Sequence, residues 1–280
     1  MQSDAISPGM LKTEEEHRRA ICAAGRRTYE RGYVASTDGN ISVRLDRGRI
    51  LTTPTCMNKG MMTPEDLVIS DPEGRKLSGR RSASSELAMH LLIYKLRPDI
   101  NAVCHAHPPA ATGYAAAGIA LDKAILCELI IGLGRVPVAP YGTPGTRELT
   151  DSIEPYVRDH EAILLANHGV VTYGPDLLTA FFRMETTEHF ARVALVTKLL
   201  GKQVELSGVE IEKLLVAKAR YTAQAAASIA SSTDVARNAP DGRDASETNE
   251  PGDDERITLT RHELEALIDE AVQKDRARAS

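Results

Sequence analysis

The chain has 280 residues, 42% hydrophobic, 26% charged and 4% aromatic, with a formal net charge of −5. This balance excludes a wholly disordered chain, and the length allows one large domain or two small ones. The longest apolar runs, such as 124–129 and 162–166, are too short to span a bilayer, so no membrane association is expected.

Residues 1–10 carry no basic start followed by an apolar stretch. Cys22, Cys56, Cys104 and Cys127 are scattered without a CxxC pair, so a reduced, cytoplasmic protein is expected. Thr13-x-x-Glu16 is a capping box, and Ile21, Ala24 and Thr28 share one face of a helix predicted over 13–32. Short strand patterns follow at 41–45, 50–53 and 67–70, separated by turn signals at 46–48 and 71–74. Residues 84–96 read as a helix, with Leu87, His90, Leu91 and Tyr94 at helical spacing and Pro98 as the stop. A strand at 101–106 leads into Pro108, Pro109 and another helix. Runs 162–166 and 170–173 flank Asn167-His168-Gly169 as a tight strand–turn–strand, and 177–200 and 208–230 read as helices. Short strands mixed with helices along the whole chain imply an α/β body with a mostly antiparallel sheet.

The charge divides unevenly. Residues 231–255 hold eight acids and two bases, residues 256–280 hold five of each sign, and residues 1–230 are left at +1. The body carries no basic stripe, so nucleic acid is not expected as a partner. Residues 231–255 contain Val235 as their only large aliphatic and are punctuated by Pro240, Gly242, Pro251 and Gly252, which reads as a flexible linker. Beyond it, Thr260-x-x-Glu263 is a second capping box. Leu264, Leu267, Ile268, Ala271 and Val272 then follow i, i+3, i+4, i+7, i+8 spacing, an amphipathic helix within 256–280. Such a helix is marginal alone and needs a partner, either its own body, a sister subunit or another protein. The long linker favours docking elsewhere.

His105-Ala106-His107 is the densest chemical candidate, because on a strand residues i and i+2 face the same way and both imidazoles can meet one cation. His168, in a glycine-flanked turn, is a third. Three neutral imidazoles are the usual protein share of a catalytic zinc site. Glu86, after Ser84 and Ser85, is either a first-turn acid facing a helix dipole or a carboxylate beside the metal, and spacing leaves both open. Gly39-Asn40, Thr53-Pro54-Thr55 and Ser84-Ser85 are small polar turns whose amides and hydroxyls together suit a phosphate.

Gly39-Asn40-Ile41-Ser42, Thr53-Pro54-Thr55, Ser84-Ser85-Glu86, His105-Ala106-His107, Ala139-Pro140-Tyr141 through Gly145-Thr146-Arg147-Glu148-Leu149, and Asn167-His168-Gly169 occur in this order. Over about residues 11–222 the ordered set resembles the class II aldolase/adducin superfamily. The resemblance implies a three-layer α/β/α subunit around a mostly antiparallel sheet, in a homotetramer with active sites at subunit interfaces. It implies that His105, His107 and His168 hold one zinc ion per subunit, with Glu86 as acid/base group and fourth ligand. Gly39, Asn40, Thr55, Ser84 and Ser85 would hold the substrate phosphate, with Thr37 a weaker candidate. Tyr221 would protonate the aldehyde oxygen in the neighbouring subunit's site.

Two positions depart from the pattern. Cys56 stands where the phosphate loop usually has glycine, and Cys127 where a second active-site tyrosine is expected. The implied reaction is reversible cleavage of a ketose 1-phosphate, of the L-fuculose or L-rhamnulose type, to dihydroxyacetone phosphate and lactaldehyde. A pentulose-phosphate 4-epimerase and a thioribulose-phosphate dehydratase are the alternatives within the superfamily. Its adducin-like interaction proteins lack the metal histidines, all three of which stand here. Domains are expected as a catalytic body at 1–230, a linker at 231–255 and a helix at 256–280. That tail resembles the encapsulation peptides of bacterial microcompartments, which implies a shell protein as partner and the microcompartment lumen as an alternative location.

Overall fold

A computed structural model describes residues 13–218 of the chain. Its first helix, α1 (Glu14–Glu30), starts on the expected capping box: the Glu16 amide donates to Thr13 Oγ1 at 3.2 Å, and the Thr13 amide donates to Glu16 Oε2 at 2.6 Å. Four strands follow, β1 (Asn40–Arg44), β2 (Ile50–Thr52), β3 (Val68–Ser70) and β4 (Lys76–Ser78). Then come α2 (Leu87–Leu96), β5 (Ala102–Ala106), α3 (Pro109–Ala116), α4 (Cys127–Gly132), β6 (Val138–Ala139) and α5 (Arg147–Val157). The hairpin β7 (Ala162–Leu165) and β8 (Gly169–Gly174) leads into α6 (Leu177–Leu199), and residues 208–218 are helical again.

Among the described residues the strands form one sheet in the order β4-β3-β2-β1-β5-β8-β7-β6. Every pairing is antiparallel except β6 with β7, so the expected mostly antiparallel α/β architecture is what the chain adopts. Strand alternation sends side chains to two separate cores. On one face Ile41, Leu51, Ala102, Cys104 and Leu164 pack with Ile21 of α1, Tyr114 of α3 and Phe190 of α6. On the other, Ile50, Val103, Ile163, Val171 and Tyr173 pack with Ile93 of α2 and Ile153 of α5. The three layers follow from this division, because each helix has its apolar stripe against one face of a sheet that is apolar on both.

The start of one helix differs from the sequence reading, and the end of β5 falls where it was expected. Helix α2 begins at Leu87 rather than Ser84, because residues 82–84 are tied to residues 53–55: the Thr55 amide donates to Ser82 O at 3.1 Å and the Ser84 amide to Thr53 O at 3.2 Å. Strand β5 ends at Ala106, so His107 lies one residue beyond it, its amide donating to Tyr33 O at 2.8 Å instead of to a sheet neighbour. Tyr221, the linker at 231–255 and the helix at 256–280 lie outside the described residues. No helix among the described residues is long and apolar enough to cross a membrane.

Candidate active site

The candidate residues sit at one end of the sheet, on the face shared with α2. Asn40 of β1 is directly opposite His105 of β5 in the antiparallel ladder. His105 is two residues from Val103, so it points to the α2 side of the sheet. The β7–β8 turn brings in His168, whose amide donates to Leu165 O at 3.0 Å while Asn167 adopts φ +56. Two glycines permit the approach. Gly39, at φ +71, would place a Cβ 2.7 Å from His105 O, and a Cβ on Gly169 would run into the His107 ring and come within 2.7 Å of Ala106 O.

The three imidazoles face a common centre. Ring centroids of His105, His107 and His168 are 4.7–5.0 Å apart and the planes are inclined by 61–66°. One nitrogen from each ring lies within 4.8 Å of the other two. His105 Nδ1 stands 2.9 Å from Val170 O, a carbonyl that can only accept, which assigns the proton to Nδ1 and leaves the Nε2 lone pair facing inward. His107 Nε2 is 3.1 Å from His105 Nε2, and its Nδ1 is turned toward Asp38 Oδ2 at 3.6 Å. Glu86, at the N-cap position of α2, does not cap its helix. Its Oε2 accepts from Asn40 Nδ2 at 2.9 Å and lies 3.3 Å from His105 Nε2, while Oε1 lies 3.2 Å from His168 Nε2. Of the two readings that spacing leaves open, its side chain is turned to the imidazoles, from the N-cap position and not from within the first turn.

Electrostatics agree with this geometry. Burial, and then the charge of His105, push His107 and His168 down to about 4, so both are neutral at physiological pH. Burial alone would lower His105 and raise Glu86, but their mutual attraction outweighs it. His105 is held above its usual value, and the Glu86 carboxyl, with further help from His168 and Asn40, well below the carboxylate range. A buried carboxylate beside three inward-facing imidazole nitrogens is a donor set that fits a divalent cation, whose charge would satisfy Glu86 with all three rings neutral.

Beside the cluster is a cavity of about 260 Å³ that collects the polar turns. Thr37, Gly39, Asn40, Thr55, Ser84 and Ser85 line it together with Glu86, His107 and His168. The 53–55 to 82–84 pairing is what brings Thr55 against Ser84 and Ser85. Cys56 lines the same cavity at φ +53, a left-handed conformation that costs a non-glycine residue about 1 kcal/mol. Cys127 starts α4, exposed to solvent and away from the lining of this cavity.

Some participants escaped the sequence reading. Asp38 and Lys59 line the cavity, and neither has a periodic or motif signal. Behind Glu86, one helical turn along α2, His90 is 1% exposed and meets Ser42 Oγ at 2.7 Å, and Ser42 in turn meets Tyr94 Oη at 2.8 Å. Burial, followed by the charge of His105, lowers His90 to about 3 and keeps it neutral. The i, i+4 spacing of Glu86, His90 and Tyr94 was the available signal.

Residues 19–195 match the family described as Class II Aldolase and Adducin N-terminal domain. A 5-deoxy-D-ribulose 1-phosphate aldolase of Bacillus thuringiensis serovar kurstaki is 36% identical over 202 residues, 71% of this chain and 94% of that protein. A 3-oxo-tetronate 4-phosphate decarboxylase of Haemophilus influenzae is 34% identical over 208 residues, covering 72% of this chain and 97% of the other. The solved structure of an L-fuculose 1-phosphate aldolase superposes with a TM-score of 0.68 at 32% identity, over 74% of this chain and 97% of its own.

Proposed function

The chain belongs to the Class II Aldolase and Adducin N-terminal domain family, and from that premise we propose that it is a zinc-dependent aldolase acting on a ketose 1-phosphate. The observation that carries this reading is one continuous site in which three imidazoles and Glu86 adjoin a hydroxyl- and amide-lined cavity. His105, His107 and His168, with Glu86 as fourth ligand when no substrate is present, would hold the metal. A divalent cation held there would supply positive charge against the negative charge that develops on the ketose during cleavage, so no Schiff-base lysine would be required.

The chain's own groups do the rest. Asn40, Thr55, Ser84, Ser85 and the Gly39 backbone hold the phosphate, and this remote binding orients the reacting carbons. In cleavage the C4 hydroxyl gives up its proton to solvent by way of the group that donates to the aldehyde oxygen in the reverse direction, the C3–C4 bond breaks, and its electron pair remains on the C3 side. Glu86, having taken a proton from solvent, then delivers it to C3, completing dihydroxyacetone phosphate, while C4 leaves as the aldehyde carbon. In the condensation direction Glu86 removes that proton, which requires the ionised carboxylate favoured by its surroundings. Tyr221 of the partner subunit, by the family pattern, would donate to the aldehyde oxygen.

A lactaldehyde-like product from an L-fuculose or L-rhamnulose 1-phosphate is the substrate reading. The decarboxylase relative makes a 3-oxo acid phosphate the second substrate class to test, beside the epimerase and dehydratase reactions of the superfamily. Screening the zinc-loaded protein against ketose 1-phosphates, pentulose phosphates and 3-oxo acid phosphates, with coupled detection of dihydroxyacetone phosphate, separates them: aldol cleavage alone releases that product with an aldehyde. A homotetramer is proposed with it, supported by the exposed Phe182, Leu195, Val196, Leu199 and Leu200 on and after α6, and light scattering on the purified chain tests it. For residues 256–280 the sequence pattern supports a shell-docking peptide. A reporter fused to them that stays diffuse in shell-forming cells would refute this.

A further inference from the structure

The cavity's hydroxyls and amides are neutral, and the body around them nets +1, yet one cation is hidden beneath them. Lys59 is 2% exposed and lines the cavity between the two loops that carry Thr37 and Cys56. Its ammonium donates to Thr37 O at 2.9 Å and to Met57 O at 2.5 Å. The next-door Asn58 reinforces the same bridge by donating from Nδ2 to Ser36 O at 2.8 Å. An ammonium has three N–H groups, and two are spent on carbonyls, so one remains for whatever enters the cavity. A buried cation with neutral partners is costly to the folded protein unless an anion joins it.

We propose that Lys59 is the buried counter-charge of the phosphate cradle, binding the substrate's phosphate from beneath the 55–60 loop with its third N–H and its positive charge. This rests on reading the cavity as a phosphate site. It identifies which charge makes a dianion welcome in a body with no basic surface. The bridging carbonyls also mean that the ammonium holds the two cradle loops at a fixed separation before the ligand arrives, which reduces the ordering cost of binding.

Burial lowers Lys59 to about 8, against the opposing effect of Asp38, Cys56 and Glu86. Asp38 faces it from the loop before β1, Cys56 from its own loop and Glu86 from the start of α2. On the α1 side no titratable group among the described residues faces it so closely: a Cβ added at Gly25 would stand 2.8 Å from the Lys59 carbonyl oxygen, and one added at Gly60 2.7 Å from the Tyr29 ring. Carboxylates keep their charge between pH 7.5 and 9.5, so a fall in phosphate affinity over that range follows the ammonium, and Cys56→Ser removes the neighbouring thiol from the comparison.

The test is titration calorimetry of inorganic phosphate into the full-length protein, in wild type, Lys59→Met and Cys56→Ser. Lys59→Met is expected to weaken phosphate at least tenfold at pH 7.5. Cys56→Ser is expected to keep an affinity that falls at least fivefold from pH 7.5 to 9.5, as the ammonium is lost. Phosphate affinity of Lys59→Met within twofold of wild type, or a flat profile in Cys56→Ser, overturns the proposal. If Lys59→Met does not fold, the profile of Cys56→Ser decides alone. If wild type takes up no phosphate at all, the phosphate reading of the cavity falls and this proposal with it, a result distinct from phosphate binding that ignores Lys59.

Discussion

Replacing Gly169 by alanine tests how tightly the histidine cluster is built. Gly169 begins β8, and its α-carbon faces the turn where His107 leaves β5. A methyl group there would stand 2.7 Å from Ala106 O and collide with the His107 ring, where ordinary contact begins at 3.4 Å. The carbonyl cannot retreat cheaply, because Ala106 is paired with Val170 in the central ladder. The ring must therefore move, or the two strands must part, at a cost of about 1–3 kcal/mol typical of overpacking. Displacing one of three ligands, or the support that aims it, is expected to weaken zinc by about 10–100-fold. Competition with a chromophoric chelator measures that affinity, and a thermal melt measures the stability loss. Zinc affinity within twofold of wild type, with an unshifted melt, would refute the argument that Gly169 is required for His107 to reach the cluster.

Three further outcomes are expected. Glu86→Gln keeps the shape of the side chain but cannot carry a proton, so turnover should fall by about 10²–10⁴-fold in the zinc-loaded protein, whereas unchanged turnover would remove Glu86 from the chemistry. Ser84→Ala and Ser85→Ala should each raise KM for a phosphorylated ketose more than they lower kcat, as steady-state kinetics would show, because the groups hold the non-reacting end. Gly113→Ala, in the exposed face of α3 with nothing within 4 Å of the added carbon, should raise stability by about 0.5–1 kcal/mol in a denaturant titration and leave activity alone.

The elements legible in the sequence were those with a strong local signal: the capping box of α1, the alternating or continuous apolar runs of β1, β5, β7 and β8, and the long apolar face of α6. Strands β4 and β6 were not visible. β4 is three exposed residues, and β6 two residues paired parallel to a strand more than twenty positions later, a relation that no local pattern encodes. Helix α2 starts three residues later than its apolar spacing predicts, because the tether between residues 53–55 and 82–84 overrides a run that otherwise suits a helix. The histidine cluster could be anticipated from HxH spacing and a glycine-flanked turn, but its convergence depends on register between β1, β5 and β8. Lys59 was invisible for a plainer reason. Lysine is ordinarily a surface residue, and only two backbone carbonyls from separate loops, brought together by the fold, make its burial tolerable.

The central claim is that one metal-dependent site cleaves a phosphorylated ketose. Its most direct test is to strip the purified protein with a chelator, restore stoichiometric zinc, and follow dihydroxyacetone phosphate release from L-fuculose 1-phosphate and L-rhamnulose 1-phosphate through a coupled reductase. The expected result is release matched one-to-one by aldehyde, abolished by the chelator, restored by zinc, and absent when His105 is replaced by alanine. Release that persists in the stripped protein, or consumption of the phosphorylated sugars by the zinc-loaded protein without dihydroxyacetone phosphate, would contradict it.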